Sequence, residues 1–269
     1  NEIFTRLWFE VSAPLLSFTI PSRKRWFPYN KGGEYRKWFG NSDIVVNWEN
    51  DGADVKSQEP RASGDRGWRD TSQEYYGRAG ITWTGLTSGK NSFRWSPSGF
   101  LFDTNKGPMS FPEEINKASV LDYLNSPVAH YLINALNPTL STQNEDIDNL
   151  PYFNGISCEH VDTLIASTEL DLNSYEYSWG FQILPLLVAY SESAPTLETS
   201  YIAWITQNQN TITEMKHLEE ENNRLFIDAY GLQDELTPEV PIEQITLTVN
   251  PTYRYGIKGT EEERNARFR

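Results

Sequence analysis

The sequence has 269 residues, 13% of them aromatic, and a formal net charge of −14. A chain of this length can bury a sizeable core, and its aromatic content excludes a disordered tail. No run approaches the roughly 18 apolar residues of a membrane-spanning helix, and a single cysteine, Cys158, excludes an internal disulfide. The three histidines are too far apart in sequence for metal-ligand spacing. We therefore expect a folded cytoplasmic protein with no metal and no membrane partner.

The two ends of the sequence predict a fragment of a longer protein. The chain begins at Asn1, and residues 7–11 have the pattern of a strand that is already under way. Residues 261–269 resemble the opening of a helix that is not completed. We therefore expect that some functional residues lie outside this sequence.

The charges are distributed unevenly along the chain. Residues 1–108 contain 15 Lys and Arg against 12 Asp and Glu, a net charge of +3, and seven of the nine tryptophans. Residues 109–269 contain 8 Lys and Arg against 25 Asp and Glu, a net charge of −17. This division predicts two surfaces with different partners, although the acidic half is explained most simply by solubility.

The first half of the sequence has the pattern of short strands joined by long loops. Runs of β-branched and aromatic residues predict strands at 43–48, 81–84, 92–95 and 99–103, with a turn at 96–98. The stretch 49–80 is polar and rich in Gly, Asp, Arg and Ser, as functional loops are. Trp48, Trp83 and Trp95 lie within the predicted strands and are expected in the core rather than on a base-stacking platform.

The second half of the sequence has helical patterns. Residues 118–124 predict one helix, and Ser126-Pro127 predicts the start of another, which Asn137-Pro138 ends. Residues 139–148 are expected to form a loop. The longest helix is predicted at 198–230, before a C-cap at Gly231, and a last strand at 244–249. Its narrow apolar stripe comprises Ile205, Ile212, Met215, Leu218, Leu225 and Phe226. These patterns predict an α+β fold, an irregular β-rich domain followed by helices.

Three clusters of polar residues in the first half are candidates for DNA contact. In the first, Lys31 precedes Gly32-Gly33, and Arg36 and Lys37 follow. Glycines let the backbone approach a phosphate and cations neutralise it, but a solvated turn before a strand would have the same composition.

The second cluster, Arg61, Arg66 and Arg69, lies in the polar stretch. An arginine fork can reach guanine O6 and N7, but a flexible loop neutralised by Asp65 and Asp70 is the alternative.

The third cluster, Lys90, Asn91 and Arg94, is expected on the turn between two strands, a hairpin that could enter a groove.

Seven runs of residues together resemble the PglX family, the adenine-specific DNA methyltransferases of bacteriophage-exclusion (BREX) systems. The runs occur in the family's order, at residues 31–41, 46–52, 80–83, 93–103, 137–140, 146–151 and 224–236. Seven runs in order are far more specific than any one of them.

The resemblance implies a place within a longer enzyme. In that family a methyltransferase core comes first, followed by a target-recognition domain similar to that of type I restriction specificity subunits, and then by a helical spacer. We accordingly assign residues 1–151 to the target-recognition domain and 152–269 to a mainly helical spacer and C-terminal segment. The resemblance also implies three partners: double-stranded DNA, the enzyme's own methyltransferase core and other phage-defence proteins.

The sequence departs from the full family pattern in its lack of catalytic motifs. Such an enzyme needs an Asn-Pro-Pro-Tyr-type motif to hold the flipped adenine, and a Gly-containing turn to approach S-adenosylmethionine. Asn250-Pro251-Thr252-Tyr253 lacks the second proline, and we interpret it as a turn. The segment alone is therefore predicted to be inactive, with S-adenosylmethionine bound outside it.

These observations predict sequence-specific DNA recognition for an adenine-N6 methyltransferase of a phage-defence system. Two alternatives remain open. The acidic half and the long helix could form a protein-interaction scaffold of the defence complex. Without the resemblance, the aromatic-rich half could also be a carbohydrate-binding module, which would expose coplanar tryptophans.

Overall fold

The computed structural model describes residues 2–57, 72–113, 116–153, 155–156, 159–190 and 196–256. Within these ranges the strands are β1 (Thr5–Leu7), β2 (Trp26–Asn30), β3 (Ile44–Asn47), β4 (Gly80–Trp83), β5 (Phe93–Ser96), β6 (Leu101–Phe102) and β7 (Met109–Ser110). The helices are α1 (Glu49–Lys56), α2 (Lys117–Asn125), α3 (Pro127–Leu136), α4 (Asn144–Asp148), α5 (Val161–Asn173), α6 (Pro185–Ala189), α7 (Leu197–Tyr230) and α8 (Pro251–Tyr255). The predicted α+β class is confirmed.

The chain divides into two compact units that interleave in sequence. Unit 1 comprises Asn1–Arg36, Asn41–Lys117 and Asn137–Asn149. Unit 2 comprises Lys37–Gly40, Ala118–Leu136 and Leu150–Arg269. The strands thus fall in unit 1, and the long helix α7 falls in unit 2. Among the described residues, no helix has both the length and the apolar character needed to cross a membrane.

Unit 1 is built from two small sheets. One has the order β1-β3-β2-β6, antiparallel except for the β2–β6 pair, which is parallel with Tyr29 opposite Leu101. The other has the antiparallel order β5-β4-β7. The side chains of Phe27, Val46, Trp48 and Leu101 form an apolar core cluster. Because β2 and β6 are parallel neighbours, the chain leaves both strands at the same end of the first sheet.

The predicted strands of the first half are confirmed at β3, β4, β5 and β6, whereas the expectation at residues 7–11 is wrong. Here the strand ends at Leu7 and a 3₁₀ turn follows over Trp8–Glu10. The carboxylate of Glu10 accepts the backbone N–H of Leu7 at 2.9 Å, which closes this turn and ends the strand pairing. The Ser96-Pro97-Ser98 turn separates strands of different sheets, since β5 pairs with β4 and β6 pairs with β2.

Unit 2 confirms the predicted helices and their ends. Ser126 Oγ accepts the backbone N–H of Ala129 at 3.3 Å, at the start of α3. Helix α7 ends at Gly231, whose φ of +67° is the left-handed conformation of a C-cap. Within the predicted stripe Met215, Leu218 and Phe226 are buried, while Leu225 is exposed. The buried face of α7 also carries polar side chains, namely Glu219, Asn222 and Asn223.

Two predictions for the second half are wrong. The expected loop at 139–148 contains α4, because Asp146 accepts the backbone N–H of Gln143 at 2.7 Å and caps that helix. The expected strand at 244–249 is a buried, irregular segment. Its backbone groups are satisfied by side chains rather than by a neighbouring strand: the Asp171 carboxylate accepts the N–H of Val249 at 3.0 Å, and Asn250 Nδ2 donates to the carbonyl of Ile245 at 2.8 Å.

Candidate nucleic-acid interface

The loops that follow β2 and β6 meet the loop between β4 and β5 in unit 1. The backbone N–H of Gly33 donates to Thr84 Oγ1 at 3.1 Å, and that hydroxyl donates back to the carbonyl of Gly33 at 3.0 Å. The N–H of Gly85 donates to the carbonyl of Lys106 at 3.0 Å. We call residues 31–36, 84–92 and 103–108 together the loop end of unit 1.

Close backbone approach explains the glycine at position 32. Gly32 has a φ of +76°, and a Cβ at that position would lie 2.4 Å from the carbonyl oxygen of Lys106. The space beside it is therefore already filled by the turn after β6. The sequence suggested an open cradle for phosphate here, whereas the geometry shows that Gly32 joins two protein loops.

Four cations belong to the loop end, whose residues are all within the described part of the chain. Lys90 and Lys106 are exposed, and Lys31 and Arg36 are half-buried. The Nζ of Lys31 lies 3.5 Å from Thr5 Oγ1, a neutral hydroxyl that leaves its charge uncompensated in that contact.

Lys106 was missed by the sequence analysis. It lies on a turn that Asp103 closes by accepting the backbone N–H groups of Asn105 and Lys106, each at 3.0 Å. The run Asp-Thr-Asn-Lys-Gly at 103–107 is rich in turn residues, and it could have indicated a cation held on a rigid loop.

Both carboxylate oxygens of Asp103 accept hydrogen bonds from unit 1. Tyr29 Oη donates to its other carboxylate oxygen at 3.4 Å. Burial, with Asp103 beside it, raises the pKa of the Tyr29 phenol well above its ordinary value, so the phenol stays a neutral donor. Asp103 therefore serves the turn, and Glu34 is the other carboxylate of the loop end.

The remaining predicted contact residues lie in different surroundings. Arg94 was expected on a turn, which is wrong: it lies within β5, and its side chain is buried. Its Nη1 donates to the carbonyl of Arg36 at 3.3 Å, so it holds the 31–36 loop against β5. Ser92 Oγ accepts the backbone N–H of Arg36 at 3.1 Å. Lys37 is also buried and belongs to unit 2, where its ammonium pairs with Glu219.

Asn91 is half-buried and is held by the neighbouring segment of unit 1. Its Nδ2 donates to Thr142 Oγ1 at 2.8 Å. The loop between β4 and β5 is further fixed to that segment, since Thr87 N–H donates to the carbonyl of Leu140 at 2.9 Å. The loop that carries Lys90 is therefore supported on both sides. Arg61, Arg66 and Arg69 lie outside the described residues.

The strand tryptophans are core residues, as predicted for Trp48 and Trp83. Both are buried, and Trp83 Nε1–H donates to the carbonyl of Thr142 at 2.9 Å. Trp95 is half-buried, with the ammonium of Lys117 4.9 Å from the centre of its ring.

The Asn-Pro-Thr-Tyr segment begins the short helix α8. Asn250 Oδ1 accepts the N–H of Thr252 at 3.1 Å as an N-cap, and its Nδ2 donates to the carbonyls of Ile242 and Ile245. The side-chain amide is buried and fully used by this frame. The segment therefore does not fit a pocket that holds a flipped base.

Comparison with known proteins gives two curated relatives over most of the chain. Adenine-specific methyltransferase PglX of Lacticaseibacillus casei (strain Zhang) is 39% identical over 254 residues, which are 89% of this chain and 21% of that protein. Adenine-specific methyltransferase BrxX of Escherichia coli O9:H4 (strain HS) is 30% identical over 268 residues, 97% of this chain and 21% of that protein. The chain thus spans about a fifth of the length of these relatives. No protein-family model matches it.

Proposed function

Because the chain is a PglX-type relative of the adenine-specific methyltransferases, we propose that it reads DNA sequence for such an enzyme. Its loop end contacts duplex DNA and places an adenine for N6 methylation by a core outside this chain. The methyl donor, S-adenosylmethionine, binds to that core. The methyl mark distinguishes host DNA from phage DNA, and other phage-defence proteins act on that distinction.

The observation that carries this proposal is the convergence of four cations on loops that are fixed to one another. Lys31 and Arg36 lie on one loop, and Lys90 and Lys106 lie on two others. Hydrogen bonds donated by backbone N–H groups hold these three loops together. Cations on a preorganised surface can neutralise phosphates without a large ordering cost. Lys37 and Arg94 are left out of this surface because their charged groups are buried and bonded within the protein.

The test is to replace each loop-end cation singly with Ala in the full-length enzyme and to measure its affinity for a mixed-sequence duplex across salt. Each lost phosphate contact lowers affinity for all sequences and reduces the slope of log K against log salt by about one unit. Glu34→Ala, a matched change on the same loop, should not reduce the slope. If all four cation variants kept wild-type affinity and slope, the DNA surface would have to lie elsewhere.

The arginines of the polar stretch remain candidates for base reading. We propose that at least one of Arg61, Arg66 and Arg69 contacts a base edge. Its replacement by Ala would cost roughly 1–3 kcal/mol and relax one position of the recognised site. Mapping methylated adenines genome-wide in each variant separates this outcome from a phosphate contact, which leaves the site unchanged.

We assign methyl transfer itself to the methyltransferase core outside this chain. The residues of the Asn250 segment do not fit a base-holding motif, because the amide is bonded within its own helix cap. We expect the isolated chain to incorporate no label from labelled S-adenosylmethionine into duplex DNA above a no-enzyme control. Incorporation above that control would contradict the assignment of methyl transfer to a core outside this chain.

A scaffold role is supported by a separate observation in unit 2. Apolar side chains are exposed on α6 and the first turns of α7, among them Leu187, Val188, Leu197 and Ile202. Exposed apolar groups of this kind favour a protein partner. Binding of another defence protein that persists at high salt without DNA would support this role. The carbohydrate-binding alternative loses support, because Trp48 and Trp83 are buried rather than exposed as a platform.

A further inference from the structure

Lys37 and Trp38 both bond to one buried carboxylate on α7. The Lys37 ammonium forms an ion pair with Glu219, and Trp38 Nε1–H donates to the other carboxylate oxygen of Glu219 at 2.7 Å. The backbone N–H of Lys37 donates to Thr246 Oγ1 at 3.0 Å. The side chains of Lys37 and Glu219 are only 6% and 2% exposed. We call Lys37, Trp38 and Glu219 the α7 anchor.

The backbone at Trp38 is held in an unfavourable conformation. Its φ is +70°, in the left-handed region that a bulky residue rarely adopts, and its side chain is only 1% exposed. Such a conformation persists only where surrounding contacts impose it. The hydrogen bond from the indole and the two bonds made by Lys37 supply those contacts.

The anchor continues directly from the loop that carries two of the proposed DNA contacts. The chain passes from unit 1 to unit 2 between Arg36 and Lys37, and it returns to unit 1 at Asn41. On the preceding side, Ser92 and Arg94 hold the backbone of Arg36. The backbone of Arg36 is therefore held by side chains within unit 1, and the next residue, Lys37, is bonded through its backbone to Thr246 and through its side chain to Glu219 within unit 2.

We propose that Lys37 and Trp38 are positioning residues for DNA recognition, which act through Glu219 and do not touch DNA. This inference rests on the proposed function of the loop end. The charge of Lys37 is already neutralised by a buried carboxylate, so the residue has no counterion to exchange for a phosphate. Its contribution is to restrain the residue that directly follows Arg36, the last residue of the 31–36 loop.

The experiment compares Lys37→Ala with Lys90→Ala in the full-length enzyme, using a mixed-sequence duplex at several salt concentrations. Lys37→Ala should lower affinity roughly tenfold, equal to about 1.4 kcal/mol, because the end of the 31–36 loop must then be ordered on binding. Lys31 and Arg36 still reach their phosphates once DNA is bound, so the salt slope stays at the wild-type value. Lys90→Ala should reduce the slope by about one unit. Lys216→Ala, which breaks the Lys216–Glu220 ion pair on the same helix, is the matched control and should change neither quantity.

A double variant separates positioning from loss of folding. Lys37→Met with Glu219→Gln removes both charges and keeps an oxygen that can accept the Trp38 indole N–H. Replacing a buried ion pair by neutral groups of similar volume is often tolerated, whereas removing one partner is not. The double variant should therefore regain most of the affinity that Lys37→Ala loses.

Two results would overturn the proposal. One is a salt slope for Lys37→Ala that falls as it does for Lys90→Ala, because a phosphate contact would then be lost and the effect would not be one of ordering alone. The other is a double variant no better than Lys37→Ala. Failure of the proposed function gives a different pattern, in which Lys31→Ala, Arg36→Ala, Lys90→Ala and Lys106→Ala all keep wild-type affinity and slope.

Discussion

At the loop end of unit 1, Lys90 and Lys106 are exposed cations on turns that the backbone holds in place. In unit 2, the ammonium of Lys37 is buried against Glu219, which lies on α7. The comparison teaches that lysines predicted to contact DNA can have two opposite uses. An exposed ammonium can contact a phosphate. A buried ammonium pairs with a carboxylate, and removing the lysine leaves that buried carboxylate without its partner.

The largest loss of unfolding free energy is expected when Glu219, the buried partner of Lys37, is replaced. Glu219→Ala leaves the Lys37 ammonium buried without its carboxylate and removes the acceptor of the Trp38 indole, at a cost of about 3–5 kcal/mol in unfolding free energy. The measurement is urea unfolding followed by tryptophan fluorescence. Glu221→Ala on the same helix, where the side chain is 39% exposed, should stay near wild type. Equal losses in both variants would contradict the distinction.

Gly32→Ala tests the loop end of unit 1. The added Cβ would meet the backbone carbonyl of Lys106 at a positive φ, so we expect a loss of about 1–3 kcal/mol in unfolding free energy and weaker DNA binding. Gly89→Ala is the matched control, since its Cβ would lie 3.7 Å from its nearest neighbour, Thr87 Oγ1. The measurement is the melting temperature of both variants. Similar melting temperatures would contradict the close approach of Gly32 to the carbonyl of Lys106.

Asn250→Ala separates a structural amide from a catalytic one. Loss of the N-cap and of the donors to Ile242 and Ile245 should cost about 1–2 kcal/mol in unfolding free energy. Methylation by the full-length enzyme should nevertheless stay within a few-fold of wild type. Asn250→Asp retains the cap acceptor but sets a buried carboxylate oxygen against the carbonyls of Ile242 and Ile245, so it should lose at least as much stability. A loss of methylation by several orders of magnitude, with folding intact, would mean that the segment is catalytic.

The smallest effect is expected for the Lys216–Glu220 pair, which is partly exposed. Burial alone would raise the pKa of Glu220, but hydrogen bonds from Lys216 and the Val240 N–H outweigh it and lower the pKa below its ordinary value. The pair therefore stabilises the fold above the ordinary carboxyl pKa, and this contribution is lost as pH falls through the lowered one. Lys216→Ala should cost roughly 0.5 kcal/mol at neutral pH. Unfolding curves at neutral and acidic pH should show this deficit shrinking with acidity; a constant deficit would contradict it.

Local sequence signals predicted the strands β3 to β6, the helices α2, α3 and α7, and part of the candidate site. β-Branched runs gave β3 and β4, and the Ser-Pro and Gly signals gave the ends of α3 and α7, because these depend on neighbouring residues. The segment at 244–249 escaped prediction, since the groups that satisfy its backbone include Asp171, distant in sequence.

The positions of the predicted cations also show that local sequence signals cannot reveal partners distant in the chain. Lys90 was predicted from its hairpin and lies there, exposed. Lys37 was also predicted as a contact, beside Arg36, but its carboxylate partner is 182 residues away in the chain. Spacing along a sequence cannot reveal such a partner, and Arg94 was likewise misplaced because the burial of one position in β5 depends on how its neighbours pack.

The division of the chain also constrains how this protein can evolve. The chain crosses between the two units five times, and one stay in unit 2, at Lys37–Gly40, lasts only four residues. A single crossover between two related genes within the first 149 residues would exchange parts of both units, and any crossover between residues 37 and 219 would bring Lys37 from one parent together with residue 219 from the other. We therefore expect lineages of such proteins to diversify by substitutions within the loops, with positions 37 and 219 changing together.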